Sequence, residues 1–169
     1  MRLWHKDLIE VLPRQQLLGQ WRECCLIAKN IAEKGTPNHI LVNKIMVYPI
    51  EHFYSYAKWL EYEMRARGYK CDFDKFEKWY KQIAKDESAF NWLKKDLIFI
   101  GWHNPRYFEQ CFYNLQEKYD CGGIPKNEWQ KFRKHAELLR VTKNVVETFN
   151  AAATALKEYA DGLEVNKND

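Results

Sequence analysis

Almost nothing in this chain of 169 residues alternates with the two-residue period of a half-buried strand, while helix start and stop signals recur along its whole length. That combination predicts an all-α fold, a compact multi-helix domain with a long C-terminal helix or kinked helix pair. Apolar residues at helical spacing run from Arg14 to Lys34, and Gly35 is suited to the left-handed C-terminal turn. Pro49 opens a second helix reaching Arg67, with Phe53, Ala57, Leu60 and Met64 as its inner stripe and Gly68 as its stop. Asp72 caps a third through Phe76, Trp79, Tyr80 and Ile83. A shorter apolar piece from Ser88 to Lys95 leads into Leu97-Ile-Phe-Ile100, which carries no usable period and fits a buried link or a helical turn equally. Asn104-Pro105 caps and starts a helix to about Tyr119, and Asp120-Cys-Gly-Gly-Ile124 breaks it. Pro125 opens a long pattern with two stripes, Trp129, Phe132, Ala136 and Leu139, then Val146, Phe149, Ala153 and Leu156, as one helix or two, with Gly162 as its stop.

The length fits a single domain over residues 1–162, with 163–169 as a loose tail. A hydrophobic content of 46%, including 15% aromatics, is ample for a core. The chain lacks a run of about eighteen apolar residues, so the expectation is a soluble, cytoplasmic protein without a membrane partner. Cysteines at 24, 25, 71, 111 and 121 are odd in number and form no CxxC pair, which argues against a disulfide framework and a structural zinc site and for reduced core thiols. The histidines at 5, 39, 52, 103 and 135 lack metal-ligand spacing, and His5 and His39 read as structural. A net charge of +4 leans only mildly towards polyanions, so a nucleic-acid footprint requires clustering.

Within Leu12-Pro-Arg-Gln-Gln-Leu-Leu-Gly-Gln-Trp-Arg-Glu23 the helical period puts Leu17, Leu18, Trp21, Cys24, Cys25 and Ala28 on one side, and Gln15, Gly19, Arg22 and Glu23 on the other. Gly19 leaves that polar side open to close approach. This stretch resembles the pyrimidine-dimer DNA glycosylase family, the phage-type endonuclease V enzymes, in which a leucine-rich helix carries a Gln seven residues before an Arg-Glu pair. Here these are Gln15, Arg22 and Glu23. A weaker likeness runs through Leu115-Gln-Glu-Lys-Tyr119 to Trp129.

The resemblance implies a DNA repair glycosylase and abasic-site lyase, needing no cofactor or metal, acting as a monomer on damaged double-stranded DNA. Its nucleophile is a backbone α-amine, whose ordinary pKa of about 7.7 to 8.0 leaves a useful neutral fraction near pH 7. In the family that amine belongs to a threonine exposed by removal of the initiator Met. The second residue here is Arg2, too bulky for that removal, so the role falls to the α-amine of Met1, with Arg2 as the alternative. Glu23 then stabilises the cationic sugar and moves protons, and Arg22 holds a phosphate. Arg2, Gln15, Arg22, Lys118 and Trp129 are the implied DNA contacts, with Lys131 a further phosphate candidate. Leu26 and Leu3 stand where the family pattern has arginines. Two rival readings are an abasic-site lyase without base excision and a non-catalytic helical module binding nucleic acid or protein, for which Arg22-Glu23 is a solvated surface pair.

Overall fold

The computed structural model describes residues 2–165, apart from the side chains of 144, 147 and 158–165. Five α-helices are present among the described residues, α1 (Arg14–Lys34), α2 (Glu51–Ala66), α3 (Phe73–Tyr80), α4 (Pro105–Asp120) and α5 (Lys126–Val165), and there is no strand. The all-α expectation holds. The chain divides into two compact units, Met1–Phe132 and Arg133–Asp169.

In the first unit α1 packs against α2 and α3. Leu17, Trp21, Cys24, Ala28 and Ile31 of α1 are buried at helical spacing, and the Trp21 ring stacks on Phe73 of α3 with centroids 5.7 Å apart. Phe53 of α2 meets Phe76 of α3 edge to face at 5.4 Å. Buried aromatic pairs of this kind stabilise by roughly 0.5–1.5 kcal/mol beyond their area. Local chemistry sets the helix ends as the sequence predicts. Gly35 closes α1 at φ 69°, Asp72 accepts from the Lys75 amide at the start of α3, and Asn104 does the same for Tyr107 with Pro105 at the first helical position of α4.

Some boundaries differ. Pro49 and Ile50 form the turn before α2, whose first helical residue is Glu51. A 3-10 helix at Lys6–Val11, which the sequence pattern did not announce, precedes α1, and Arg67 donates to its carbonyls at Glu10 (2.8 Å) and to Leu12 (2.6 Å). The ambiguous 97–100 stretch is a buried link at Ile98 and Phe99, with Phe99 left-handed at φ 50° and its amide donating to His52 Nδ1 at 2.9 Å.

The helix α5 runs unbroken through Thr142 and Lys143 and past Gly162 to Val165, so neither a kinked pair nor the expected stop is found; positions 166–169 of the expected tail lie outside the described residues. Trp129 and Phe132, in the first unit, are buried against Phe112 of α4. In the second unit Val146, Phe149 and Leu156 are exposed, so the second stripe is not a core stripe. Periodicity reports amphipathicity, not whether a partner face exists. No helix among the described residues is long and apolar enough to cross a membrane.

Candidate active site

The first described residues are held by their backbone. The Arg2 N–H donates to Glu23 Oε2 at 3.1 Å and the Trp4 N–H to Gln20 Oε1 at 2.8 Å. Alternate residues of an extended segment face one way, and residues three apart on a helix are neighbours, so Glu23 and Gln20 of α1 present matching acceptors. From the other elements, the Tyr107 hydroxyl of α4 donates to the Leu3 carbonyl at 2.5 Å and the Tyr56 hydroxyl of α2 to the Trp4 carbonyl at 2.8 Å. The Lys6 N–H donates to His103 Nδ1 at 2.9 Å. Each net bond of this type contributes about 0.5–1.5 kcal/mol, and a buried partner left unpaired costs about 1–3 kcal/mol. Residues 2–6 therefore form a strap pinned to α1, α2, α4 and the turn before α4.

The electrostatics keep the strap's partners in their bonding forms. Burial pushes the Tyr56 and Tyr107 phenols well above their ordinary value, opposed at Tyr107 by the Arg2 guanidinium, so both remain hydroxyl donors. Because His103 and His5 accept at Nδ1, the neutral rings carry their proton on Nε2, and the two rings stack at 5.1 Å. Burial also raises the Cys24 and Cys111 thiols, and lifts Cys25 to about 11 and Cys71 to about 12. All five cysteines are free, and those four stay protonated at neutral pH, which removes them as thiolate nucleophiles.

Arg22 is exposed beside half-buried Glu23, and Gln15 is exposed two turns earlier on α1, about 10 Å along its axis. Gly19 lies between them with no other group within 4 Å of where a Cβ would stand, leaving open surface. Met1, to which the amine is assigned, lies outside the described residues; its neighbour Arg2 touches the carboxylate. The Arg2 guanidinium lies over the Trp4 ring at 5.7 Å and borders a cleft of about 350 Å³ whose other walls include Lys44, Trp102, Tyr107, Gln110 and Asn114. Leu26 is half-exposed in a second groove shared with Arg22, Lys29, Lys75 and Trp79, while Leu3 is fully buried under the strap.

Not every expected DNA contact joins this centre. Trp129 is 7% exposed, with its ring stacked on Tyr119 at 5.0 Å and on Phe132 at 5.3 Å, so packing takes up its faces. Lys118 and Lys131 are exposed, the latter bordering a separate groove with Arg14, Arg67 and Glu128. His39 is half-buried, accepting from the Leu41 amide within its own loop. Gln20, Tyr56, His103 and Tyr107 were not legible as strap partners, because they meet residues 16 to 104 positions away. The one local hint was Gln20, a polar residue on the border of the apolar stripe of α1. Among the described residues no three or more His, Cys, Asp or Glu side chains gather as metal ligands.

The family model described as pyrimidine dimer DNA glycosylase matches residues 1–77, the segment that holds the strap, Gln15, Arg22 and Glu23, and this bears out the resemblance drawn from the α1 sequence. No curated protein and no solved structure matches the chain.

Proposed function

From an amino-terminal segment that matches the pyrimidine dimer DNA glycosylase family, we propose that this protein is a DNA repair glycosylase and abasic-site lyase working through a terminal α-amine. The observation that carries the reading is the Arg2 N–H donated to Glu23 Oε2. Residue 1 is bonded to that nitrogen, so its α-amine stays within about 4 Å of the atom touching the carboxylate. A retained Met1 supplies the amine directly, and removal of Met1 turns the Arg2 nitrogen itself into the amine.

The neutral amine attacks C1′ of the damaged nucleotide's deoxyribose as the bond to the base breaks and the base leaves with the electron pair. Ionised Glu23 offsets the positive charge on the sugar. Loss of a further amine proton opens the ring to an iminium joining amine and C1′. A proton is then lost from C2′, the C3′–O bond breaks, and the strand is cut by β-elimination; water releases the enzyme. Glu23 is placed to move these protons. Arg22 and Gln15 on the open face of α1, and Arg2 at the cleft, hold the flanking phosphates, and the cleft between Arg2 and Trp102 accommodates a nucleotide turned out of the stack. The substrate is duplex DNA with a pyrimidine-dimer-type lesion, and the protein acts as a monomer.

Leu26 favours a second reading, an abasic-site lyase without base excision, because a half-exposed leucine beside Arg22 gives no phosphate contact where the family has an arginine. Borohydride trapping on duplex DNA separates the possibilities. A covalent adduct on both dimer-containing and abasic duplexes, lost when the terminal amine is blocked, supports the full activity. An adduct on the abasic duplex alone supports the lyase. No adduct on either overturns the amine mechanism. Intact mass identifies the residue bearing the amine.

A further inference from the structure

The loop between α1 and the 3-10 helix Asn43–Val47 exposes apolar side chains where an ordinary surface loop is polar. Ile40 is 83% exposed and Leu41 is 50% exposed, and both border the cleft that Arg2 shares with Lys44 and Tyr107. The next apolar residues in the chain behave oppositely, since Val42 and Ile45 are fully buried and anchor the loop. Its turn is held by its own side chains. The Asn38 amide donates to Thr36 Oγ1 at 3.2 Å, the His39 amide to Asn43 Oδ1 at 3.3 Å and the Leu41 amide to His39 Nδ1 at 3.3 Å, while Asn38 takes a left-handed φ of 60°. The Asn30 side-chain amide donates to the Pro37 carbonyl at 3.2 Å and ties the loop to α1. The tip is thus preformed, apolar and flanked by two cations.

We propose that Ile40, with Leu41 beside it, is a wedge that enters the base stack of duplex DNA and fills the space left when the damaged nucleotide turns into the cleft. This rests on the reading of the protein as a DNA glycosylase. Apolar side chains inserted between base steps offset the cost of unstacking, and that cost is a few kcal/mol. Arg2 and Lys44 on either side complement the phosphates of the same strand and commit the tip to DNA over an apolar protein partner. Trp129, the aromatic that the sequence offers for a wedge, is occupied by packing, whereas Ile40 has no such role to perform.

The test uses the full chain carrying Glu23→Gln, so that binding is read without turnover, and a duplex with 2-aminopurine next to the lesion, whose fluorescence rises on unstacking. The double variant Ile40→Ala/Leu41→Ala is expected to lose most of that rise, about tenfold in the flipped population, and Ile40→Met to restore it. In the otherwise unaltered enzyme, the same double variant is expected to slow single-turnover cleavage of a paired abasic duplex about tenfold, and to leave cleavage of the same site in an unpaired bubble unchanged. Equal slowing on duplex and bubble overturns the wedge, as does an unaltered fluorescence rise. So does concentration-dependent self-association that the double variant abolishes, since the tip would then serve a second copy. If the parent neither binds nor cleaves any duplex, the glycosylase reading fails rather than the wedge alone.

Discussion

The strap at residues 2–6 and the loop at residues 36–43 are both irregular segments, yet they are held in opposite ways. Every strap bond described above comes from a side chain distant in the sequence, on α1, α2, α4 or the turn before α4. The loop is held almost wholly by neighbours within seven residues, and it points its apolar tip outward. A segment fixed by several helices at once has a position that depends on the whole first unit, which suits a group required to meet Glu23 to within an ångström. A segment fixed by itself keeps its shape as a small rigid piece and leaves its outer face for a partner.

The largest effect that sharpens this contrast is at Glu23. Glu23→Gln keeps an oxygen to accept the Arg2 N–H, so the strap should stay docked with melting nearly unchanged, while strand cleavage falls by about 10²–10³-fold or more. Normal cutting by this variant removes Glu23 from the chemistry. Next is Gln20→Leu, which leaves the buried Trp4 N–H without its acceptor; about 1–3 kcal/mol of stability should be lost in denaturant unfolding, together with slower borohydride trapping. If stability falls and trapping does not, the strap's position is irrelevant to the amine.

Asn43→Ala removes exposed, local bonds, and at most about 1 kcal/mol should follow, with faster amide exchange confined to residues 36–43. Protection lost at residues 2–6 as well would break the distinction between the two segments. Ile40→Ala should change stability by less than about 0.5 kcal/mol, as expected for an exposed side chain.

The smallest effect is one of pH. Burial lowers the half-buried His52 from its ordinary value of 6.5, against the pull of Glu51, and its Nδ1 accepts from the amide of left-handed Phe99. Because the folded value is below the unfolded one, the unfolded chain binds more protons between them. The contribution is fully present above about pH 6.5 and is lost as pH falls from there through the folded value. The melting temperature should decline over that interval, and less so in His52→Asn, which retains an acceptor. An equal decline in both proteins assigns the acid sensitivity elsewhere.

Much of this was readable before any coordinates. Gly35, Asp72 and Asn104-Pro105 act on their own few residues, so the ends of α1, α3 and α4 follow from local chemistry. Gln15, Arg22 and Glu23 share a face because a helix repeats every 3.6 residues. The fate of similar stripes was not readable, since burial depends on what another element brings: the stripe of α1 is buried against α2 and α3, whereas Val146, Phe149 and Leu156 of α5 are exposed. Trp129 shows the same limit, because nothing near it in sequence indicates that Tyr119 and Phe132 cover its ring.

The sequence by itself determined the all-α class, the helix ends and the polar face carrying Arg22 and Glu23, because each depends on groups within a turn or two of one another. Only the tertiary structure decided that Gln20, Tyr56, His103 and Tyr107 pin the amino-terminal strap so that Arg2 meets Glu23, and that Ile40 stands at the rim of the adjoining cleft. Those meetings join residues as far as 104 positions apart. Closing so long a loop is favourable only when the packed core lowers its entropic cost by holding both ends, which no local pattern reports.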